Sequence, residues 1–342
     1  MINCHKCQEN PAADLIGLCV DCLRNTSSKD YLYEIHKQVR ENFSLPSQPP
    51  RSAAGIRCHL CANHCQMAEE QTGFCGLHQN KGGRLVHRFP PNSALAYMYL
   101  DTLPTNCCAS WFCKGSHKSG YNLAVFFYGC NFDCLFCQNA SHKLLSKASV
   151  VSEEEMVKAA LDDRVSCVCF FGGSPEPQLT FALRVAKRII EKSDNKKHIC
   201  WEWNGCGNPK MVKRAMELTT ESGGTVKFDL KSYHPHVSQA LCGVDNQRAF
   251  QNFKMLANGL HYPKILTAST LLVPYYIDRE EVADIANFIA GIDVNIHYSL
   301  LVFLPNFYMS DMPVTPKWQV AECYSAACQY LHNVHIGNKH LL

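Results

Sequence analysis

The sequence lacks the segments that would place the chain in a membrane or send it out of the cell. No apolar run approaches the roughly 20 residues that a transmembrane helix needs. Met1 begins a polar segment that carries Cys4, with neither the basic region nor the apolar stretch of a secretory signal. We therefore expect a cytoplasmic chain with no membrane span.

Runs of charge of one sign are also missing. The 342 residues include 33 Lys and Arg against 30 Asp and Glu, which gives a net charge of +3. Proteins that bind nucleic acid or anionic membranes electrostatically carry basic clusters, so we predict no nucleic-acid partner. The hydrophobic share of 46% is enough for a sizeable core, and the length allows one large domain plus a small one.

Cysteine, by contrast, is abundant, with 21 in the chain. In a secreted protein they could form disulfides, whereas in the cytoplasm C-x2-C spacings indicate metal. Residues 1–50 are expected to form a zinc-ribbon-like module and a linker, because they hold two such pairs: Cys4, Cys7, Cys19 and Cys22. The zinc would supply the folding energy of this short piece, which either docks a partner or is only structural.

A second cysteine-rich module and its connection are expected over residues 51–121. Four cysteines within 18 residues imply a closed site for zinc or an auxiliary iron–sulfur cluster: Cys58, Cys61, Cys65 and Cys75. The glycine turns around Cys75 favour zinc slightly. Further along lie three more cysteines and a histidine, which are a metal site, reactive thiols or buried small residues: Cys107, Cys108, Cys113 and His117.

The rest of the chain is organised around the stretch YGCNFDCLFCQN, residues 128–139. It follows an apolar run and holds Cys130, Cys134 and Cys137 in the spacing C-x3-C-x2-C. Three thiolates this close can ligate three irons of a [4Fe–4S] cubane and leave the fourth iron free for a substrate or cofactor. Zinc sites mostly come as paired knuckles with four ligands, so zinc fits this loop poorly.

Over residues 122–342, strand-like and helix-like patterns alternate. This alternation predicts an α/β fold with a parallel sheet, and six repeats fit a partial (β/α)6 TIM-like barrel with its site at the carboxyl ends of the strands. Ser152 and Glu155 predict a capping box at the first helix. The predicted strands are 123–129, 165–171, 197–203, 225–230, 264–273 and 297–304, and the helices are about 152–163, 178–192, 208–221, 246–259, 278–290 and 315–332.

These features resemble the radical S-adenosylmethionine (radical SAM) superfamily, whose signature is this cysteine spacing with an aromatic residue, here Phe136, before the last cysteine. The Cys58–Cys75 block and the segments FDLKSY, LLVPYYID and LPNFYMSDMPVTP look like the AmmeMemoRadiSam-type proteins, relatives of the pyruvate formate-lyase activating enzymes. The resemblance covers residues 58–338 and leaves the N-terminal ribbon outside. Cys107, Cys108 and Cys113 depart from the family's usual connection.

The resemblance implies an enzyme with a [4Fe–4S] cluster and S-adenosylmethionine (SAM). The reduced cluster cleaves SAM to a 5′-deoxyadenosyl radical, which abstracts hydrogen from a substrate. A low-potential donor such as a flavodoxin or ferredoxin would supply the electron. Because an open cluster is sensitive to oxygen, an oxygen-poor cell is expected.

The resemblance also implies a set of SAM contacts, although no catalytic residue is assigned. Ser174 stands where the family usually has an acidic residue, and Trp203 replaces a threonine. Asp229 and Lys231 match the family's D-x-K, while their alternation alone equally fits an internal salt bridge. The candidate SAM-binding residues are Phe136, Gly172, Gly173, Ser174, Glu176, Glu202, Asn204, Asp229, Lys231 and Val273.

The substrate stays open at this point. Relatives that place a radical on a partner's glycine favour a protein or peptide, and a small molecule or lipid is the alternative. No cobalamin-binding D-x-H-x-x-G pattern is present, which argues against a cobalamin-dependent methyltransferase. A non-catalytic metal-binding protein is a further hypothesis, and an electron carrier would need a fourth cysteine near the loop, such as Cys113 or Cys167.

Overall fold

The computed structural model describes residues 1–26, 29–107, 109–117, 120–258 and 265–342. In these residues the strands are β1 Ile2–Asn3, β2 Pro11–Ala12, β3 Ile56–Arg57, β4 Gln66–Met67, β5 His78–Lys81, β6 Arg84–His87, β7 Ser93–Thr102, β8 Tyr121–Phe127, β9 Val150–Ser152, β10 Val165–Gly172, β11 His198–Trp203, β12 Val226–Asp229, β13 Leu266–Leu272, β14 His297–Val302 and β15 Val334–Gly337. The α-helices are α1 Val20–Arg24, α2 Lys29–Glu41, α3 Glu153–Ala160, α4 Leu179–Ser193, α5 Pro209–Ser222, α6 Pro235–Cys242, α7 Gln247–Ala257, α8 Arg279–Ala290 and α9 Lys317–Cys328.

A central sheet of nine described strands forms the core, in the order β15-β14-β13-β12-β11-β10-β8-β7-β9. The seven strands from β15 to β8 in this order are all parallel to their neighbours. At the other edge of the sheet, β7 pairs antiparallel with both β8 and β9. The predicted α/β fold with a parallel sheet is therefore confirmed, and six of the parallel strands lie where the apolar runs placed them. The seventh, β15, and the antiparallel β7 were not predicted.

Helices cover the sheet because their apolar residues recur every three or four positions. In α4, Ala182, Val185 and Ala186 are fully buried, with Ile189 one turn later. The predicted capping box at α3 is present: the Ser152 hydroxyl accepts from the Glu155 main-chain N–H, and the Glu155 side chain accepts from the Ser152 N–H. Within the described part of the chain, none of the helices is both long and apolar enough to span a membrane.

A connecting segment, residues 103–107 and 109–117, runs across the amino ends of the parallel strands. At one side the Leu103 N–H donates to the Gly120 carbonyl, 3.1 Å away, just before β8. At the other side the Trp111 ring stacks on His335 of β15, with centroids 5.0 Å apart, and its Nε1–H donates to Ser299 Oγ of β14 at 3.2 Å. The segment therefore contacts strands from both flanks of the parallel part of the sheet.

The N-terminal modules pack directly against the large α/β unit. The Ala13 N–H donates to the Tyr276 hydroxyl at 2.9 Å, and that hydroxyl donates to the Leu18 carbonyl at the same distance. Arg24 pairs with Asp278 at the start of α8, with Nη2 2.8 Å from Oδ1. These contacts fix the two-pair cysteine module on the sheet's outer helices.

Candidate cofactor site and metal centres

The loop that carries Cys130, Cys134 and Cys137 follows β8 at the carboxyl edge of the sheet. All three thiols line one cavity of about 330 Å³. The loop is held by α6, because the Asp133 and Leu135 N–H groups donate to carbonyls of its last turn at 2.8 and 2.9 Å. The three thiols therefore face one space from a loop with a fixed backbone.

A buried carboxylate inside this loop ties it to two other parts of the chain. Asp133 is fully buried and contacts Lys143 Nζ, His36 Nδ1 at 2.8 Å and Arg40 Nη1 at 3.3 Å. Burial raises the pKa of Asp133, but the Lys143 and Arg40 charges and the His36 hydrogen bond outweigh it and hold the pKa well below its usual range. Asp133 therefore stays ionised and joins α2 to the cysteine loop.

The same cavity brings together eight of the ten candidate SAM-binding residues. The two others lie elsewhere: Glu176 is buried behind Ser174, and Val273 is buried in the core. The lining residues come from loops or strand ends at β8, β10, β11 and β12, as expected for the carboxyl ends of parallel strands. They are Phe136, Gly172, Gly173, Ser174, Glu202, Asn204, Asp229 and Lys231.

The glycine pair at the end of β10 approaches the backbone before the cysteine loop closely. A Cβ on Gly173 would lie 2.2 Å from the Gly129 carbonyl oxygen, so no side chain fits there. The Gly173 N–H donates to the Phe127 carbonyl at 2.8 Å, and the Cys130 thiol donates to the Gly173 carbonyl at 3.2 Å. The glycine turn and the cysteine loop thus form adjoining walls of the cavity.

A hydrogen-bonded row continues the wall after β11. Asn204 Nδ2 donates to Asn131 Oδ1 at 2.8 Å and to Ser174 Oγ at 3.0 Å. Glu176 accepts from the Ser174 hydroxyl and, at 2.8 Å, from the Gly205 N–H. Burial raises the pKa of Glu176 to about 7, against the lowering effect of those hydrogen bonds. Glu176 therefore orients Ser174 from outside the cavity.

Charged side chains at the end of β12 form the opposite wall. Lys231 Nζ lies 3.3 Å from Asp229 Oδ2 and 5.8 Å from the centroid of the Phe136 ring. Lys227, which the sequence reasoning missed, bridges Asp229 Oδ1 at 3.3 Å and Glu202 Oε2 at 3.1 Å. Residues 227, 229 and 231 alternate along the chain, so their shared face was a usable signal.

A second residue that the sequence reasoning missed is Cys242, the last residue of α6. Its thiol hydrogen-bonds to Cys134, and this contact is the main cause that lowers the pKa of Cys134. Cys242 is fully buried. The cysteines suggested as a fourth thiol for an electron carrier, Cys113 and Cys167, instead line a different cavity.

The N-terminal cysteine module has the dimensions of a single-ion site. Its four sulfur atoms lie within 4.8 Å of one another, and Cys7 Sγ is 3.8 Å from Cys19 Sγ. A tetrahedral zinc ion with Zn–S bonds of about 2.3 Å holds its sulfurs about 3.8 Å apart. The four thiols of Cys4, Cys7, Cys19 and Cys22 therefore form a cysteine cluster that could bind one metal ion.

The second cysteine module is wider. Its four thiols, from Cys58, Cys61, Cys65 and Cys75, line a cavity of about 10 Å³, and Cys75 Sγ lies 3.7 Å from His78 Nδ1. Among the described residues, the N-terminal cluster is the one group of three or more ligand atoms within 4.8 Å of each other. The sulfur atoms of the second module, like those of the cysteine loop, are therefore spaced more widely than the sulfur atoms of the N-terminal cluster.

The structure describes only part of the site predicted at Cys107, Cys108, Cys113 and His117. Cys108 and the side chain of His117 lie outside the described residues. Cys107 and Cys113 both line a cavity between the connecting segment and the sheet. We call the face of the sheet toward this cavity the inner face. The three cysteines of the cysteine loop do not line this cavity. Whether they bind metal stays a prediction.

The cysteine loop and its cavity fit the cofactors expected at such a site. Three thiols supply ligands for three irons, and the rest of the described lining is a mixture of polar and apolar groups with no fourth thiol, which would leave the fourth iron free to take SAM. The Phe136 ring and the Lys231 ammonium offer a stacking surface and a cation in that wall.

Several known proteins are similar to this chain in sequence or structure. The chain is 22% identical over 295 residues to the uncharacterized protein MJ0808 of Methanocaldococcus jannaschii, which covers 83% of this chain and 81% of that protein. A domain of a pyruvate-formate lyase-activating enzyme from Bacteroides vulgatus is similar in structure, with 19% identity, a TM-score of 0.41, and coverage of 50% of this chain and 98% of that one. SuiB of Streptococcus suis has 16% identity and a TM-score of 0.45 over 63% of this chain.

The chain spans about half the length of SuiB, of which 48% is covered. The sequence profile of the Radical SAM superfamily matches residues 124–289, which run from the middle of β8 to the end of α8 and include the cysteine loop. Residues 124–289 therefore belong to the radical SAM superfamily, and an N-terminal cysteine cluster is joined to that domain.

Proposed function

We propose that this chain is a radical SAM enzyme in which Cys130, Cys134 and Cys137 hold a [4Fe–4S] cluster and SAM occupies the adjoining cavity. The observation that carries the proposal is the shared cavity of about 330 Å³. It is lined by the three thiols and by eight residues that match SAM-contact positions of the family. When bound, the reduced cluster and SAM together supply a 5′-deoxyadenosyl radical that abstracts hydrogen from a substrate.

The chain's own residues then bind and orient the cofactor. Phe136 would stack on the adenine, and Lys231 would neutralise the carboxylate of the methionine part. The backbone at Gly173 would contact the amino group, and Glu202 would accept from the ribose hydroxyls.

The parallel sheet is proposed to curve into the partial (β/α)6 barrel. Its support is that Gly172 of β10, Glu202 of β11, Leu271 of β13 and Leu301 of β14 all line the one cavity. A flat sheet would hold β10 and β14 too far apart for this. The barrel would extend over residues 122–342, with the two cysteine-rich modules at residues 1–50 and 51–121.

The two modules are proposed to hold different metal centres. The N-terminal cluster, with sulfurs 3.8 Å apart, suits zinc. The second module suits an auxiliary iron–sulfur cluster, because no three of its described ligand atoms lie within 4.8 Å of one another, whereas thiolates bound to separate irons lie further apart than those around one zinc ion. This proposal replaces the slight preference for zinc that the glycine turns suggested.

A protein or peptide is the proposed substrate, with a flavodoxin or ferredoxin as electron donor. A polar groove of about 440 Å³ supports a peptide, since it lies where the second module meets α6 and α7. Its wall includes two cations, Arg51 and Arg248, and one carboxylate, Asp245, and the cationic part would suit an acidic segment. Asn63 in the same wall donates to the Asn131 carbonyl at 2.7 Å, which links the groove to the cysteine loop.

The test is an anaerobic turnover assay. The cluster is reconstituted and reduced with dithionite, SAM is added, and 5′-deoxyadenosine is measured. Cys134→Ala should form none, while Cys323→Ala, which changes a buried cysteine of α9 far from the loop, should behave as wild type. No product in the wild type, with an electron paramagnetic resonance spectrum that SAM leaves unchanged, would refute the enzyme and favour the non-catalytic metal-binding protein.

A further inference from the structure

A second cavity, here called the thiol cavity, lies on the inner face of the sheet toward the amino ends of its strands. Its volume is about 80 Å³. Residues of β7, β8, β10, β11 and β12 line it on one side and the connecting segment lines it on the other. Five cysteines face it: Cys107, Cys113, Cys167, Cys169 and Cys200.

Strand register brings three of these cysteines together. Cys167 and Cys169 are two residues apart in β10, so both side chains point to the same face. Parallel pairing sets Cys169 directly beside Cys200 of β11. The three thiols therefore form one patch on the inner face, although no C-x2-C pair joins them in the sequence.

The connecting segment supplies the opposite thiols. A Cβ placed on Gly115 would lie 3.5 Å from Cys113 Sγ and 3.7 Å from Cys167 Sγ, so these two sulfurs flank one point. Thr225 Oγ1 donates to Cys113 Sγ at 3.8 Å, which fixes the thiol at the sheet. Cys107 lines the same cavity from the connecting segment. Thiols from the connecting segment, β10 and β11 thus converge.

We propose that the thiol cavity is a metal centre that holds an iron–sulfur cluster through Cys107, Cys113, Cys167 and Cys200. A single zinc ion does not match the spacing, because no three of the described sulfurs here lie within the 4.8 Å that the N-terminal cluster achieves. Thiolates bound to separate irons of a cluster lie further apart. The cavity volume leaves room for a polynuclear core between the thiols.

The position of this centre relates it to the cofactor cavity. Glu202 and Lys227 line both cavities, and their ion pair of 3.1 Å forms the partition. A cluster in the thiol cavity would therefore lie one layer of side chains from the proposed SAM site. Binding of this cluster nevertheless depends only on the thiols, so it can be tested independently of SAM cleavage.

The first test compares two anaerobically reconstituted full-length variants. Cys113→Ser with Cys200→Ser removes two thiols with little change in volume, and Cys323→Ser alters a buried cysteine outside all clusters. The double variant should lose about four irons and four acid-labile sulfides per chain, the content of one [4Fe–4S] cluster. Iron equal to that of Cys323→Ser, or loss of zinc in place of iron, would overturn the proposal.

The second test needs no variant and so does not depend on refolding. Cys107 and Cys113 are half-buried, which allows alkylation when no metal covers them. In the reconstituted wild type, iodoacetamide should modify both at least tenfold more slowly than after treatment with an iron chelator, with exposed Cys328 as the internal standard. Equal rates before and after chelation would show that the five thiols are simply small buried residues.

Discussion

Replacing Asp133 by asparagine tests whether the buried charge network holds the cysteine loop in place. Asp133 is fully buried and faces Lys143, His36 and Arg40. Arg40 also stacks on Phe74 of the second module, with Cζ 3.4 Å from the ring centroid. Asp133→Asn leaves buried cations without a counter-charge at the point where α2, the second module and the cysteine loop meet.

The expected loss follows from the burial of the group. Removal of one partner from a buried ion pair costs about 3–5 kcal/mol, because the remaining charge stays desolvated. For a chain of this size the midpoint of thermal unfolding should fall by on the order of 10 °C. Since the pKa of Asp133 in the folded chain is depressed, its charge makes its full contribution to the free energy of unfolding at neutral pH. It is lost only as the pH falls below about 4 and through the folded pKa.

The assay is anaerobic thermal unfolding of the cluster-loaded chain at pH 7, followed by circular dichroism, with iron content measured in parallel. Asp162→Asn is the matched control, since it removes a partly exposed carboxylate paired with exposed Arg164 and should change the midpoint little. Adding Lys143→Met to Asp133→Asn should restore part of the loss. If Asp133→Asn behaved like Asp162→Asn, the network would not stabilise the loop.

Three further changes test the proposed SAM site and the zinc cluster. Lys231→Met should weaken SAM binding about 10- to 150-fold in isothermal titration calorimetry, because a charged hydrogen bond contributes about 1.5–3 kcal/mol. Glu176→Gln should raise the unfolding midpoint more at pH 8 than at pH 5. Because the pKa of Glu176 is raised to about 7 in the folded chain, the stability of the wild type falls as the pH rises from the ordinary pKa of glutamate to 7. Cys7→Ala should lower zinc by one ion per chain by elemental analysis and make the N-terminal module sensitive to protease.

Each of these three predictions has an outcome that would contradict it. Lys213→Met changes an exposed lysine of α5 and should bind SAM like the wild type, so an equal loss there would argue against a specific role for Lys231. An equal effect of Glu176→Gln at both pH values would mean that the carboxyl is not charged and buried above pH 7. Zinc retained in Cys7→Ala at the level of Cys328→Ala would exclude the N-terminal cluster as the zinc site.

The parallel strands could be predicted because strands buried on both faces appear as continuous apolar runs separated by helices. Shorter or less buried elements gave no such pattern. β15 has four residues that are only half-buried, and α6 is an eight-residue helix that begins at Pro235. Contacts distant in the sequence stabilise both, such as the pairing of Tyr298 with Val334, and such contacts leave no local periodicity.

The candidate site divides in the same way. Cys130, Cys134, Cys137 and the residues that follow β10, β11 and β12 were predicted because their spacing is local and strand ends of a parallel sheet converge. Partners far away in the sequence were not. Asp133 meets His36 across 97 positions, and a histidine in an amphipathic helix carries no sign of such a contact.

The thiol cavity shows most clearly what spacing alone cannot reveal. Metal sites are found in sequences when their ligands come in short pairs, as in the N-terminal module. Cys200 lies beside Cys169, and one position along the same face from Cys167, only through the register of β10 against β11, and a shift of one residue would turn Cys200 to the opposite face. Cys113 joins them because Trp111 anchors the connecting segment on β14 and β15. The cysteines that depart from the family pattern therefore acquire a common partner only in the folded chain, and a metal centre there would account for their presence in that segment.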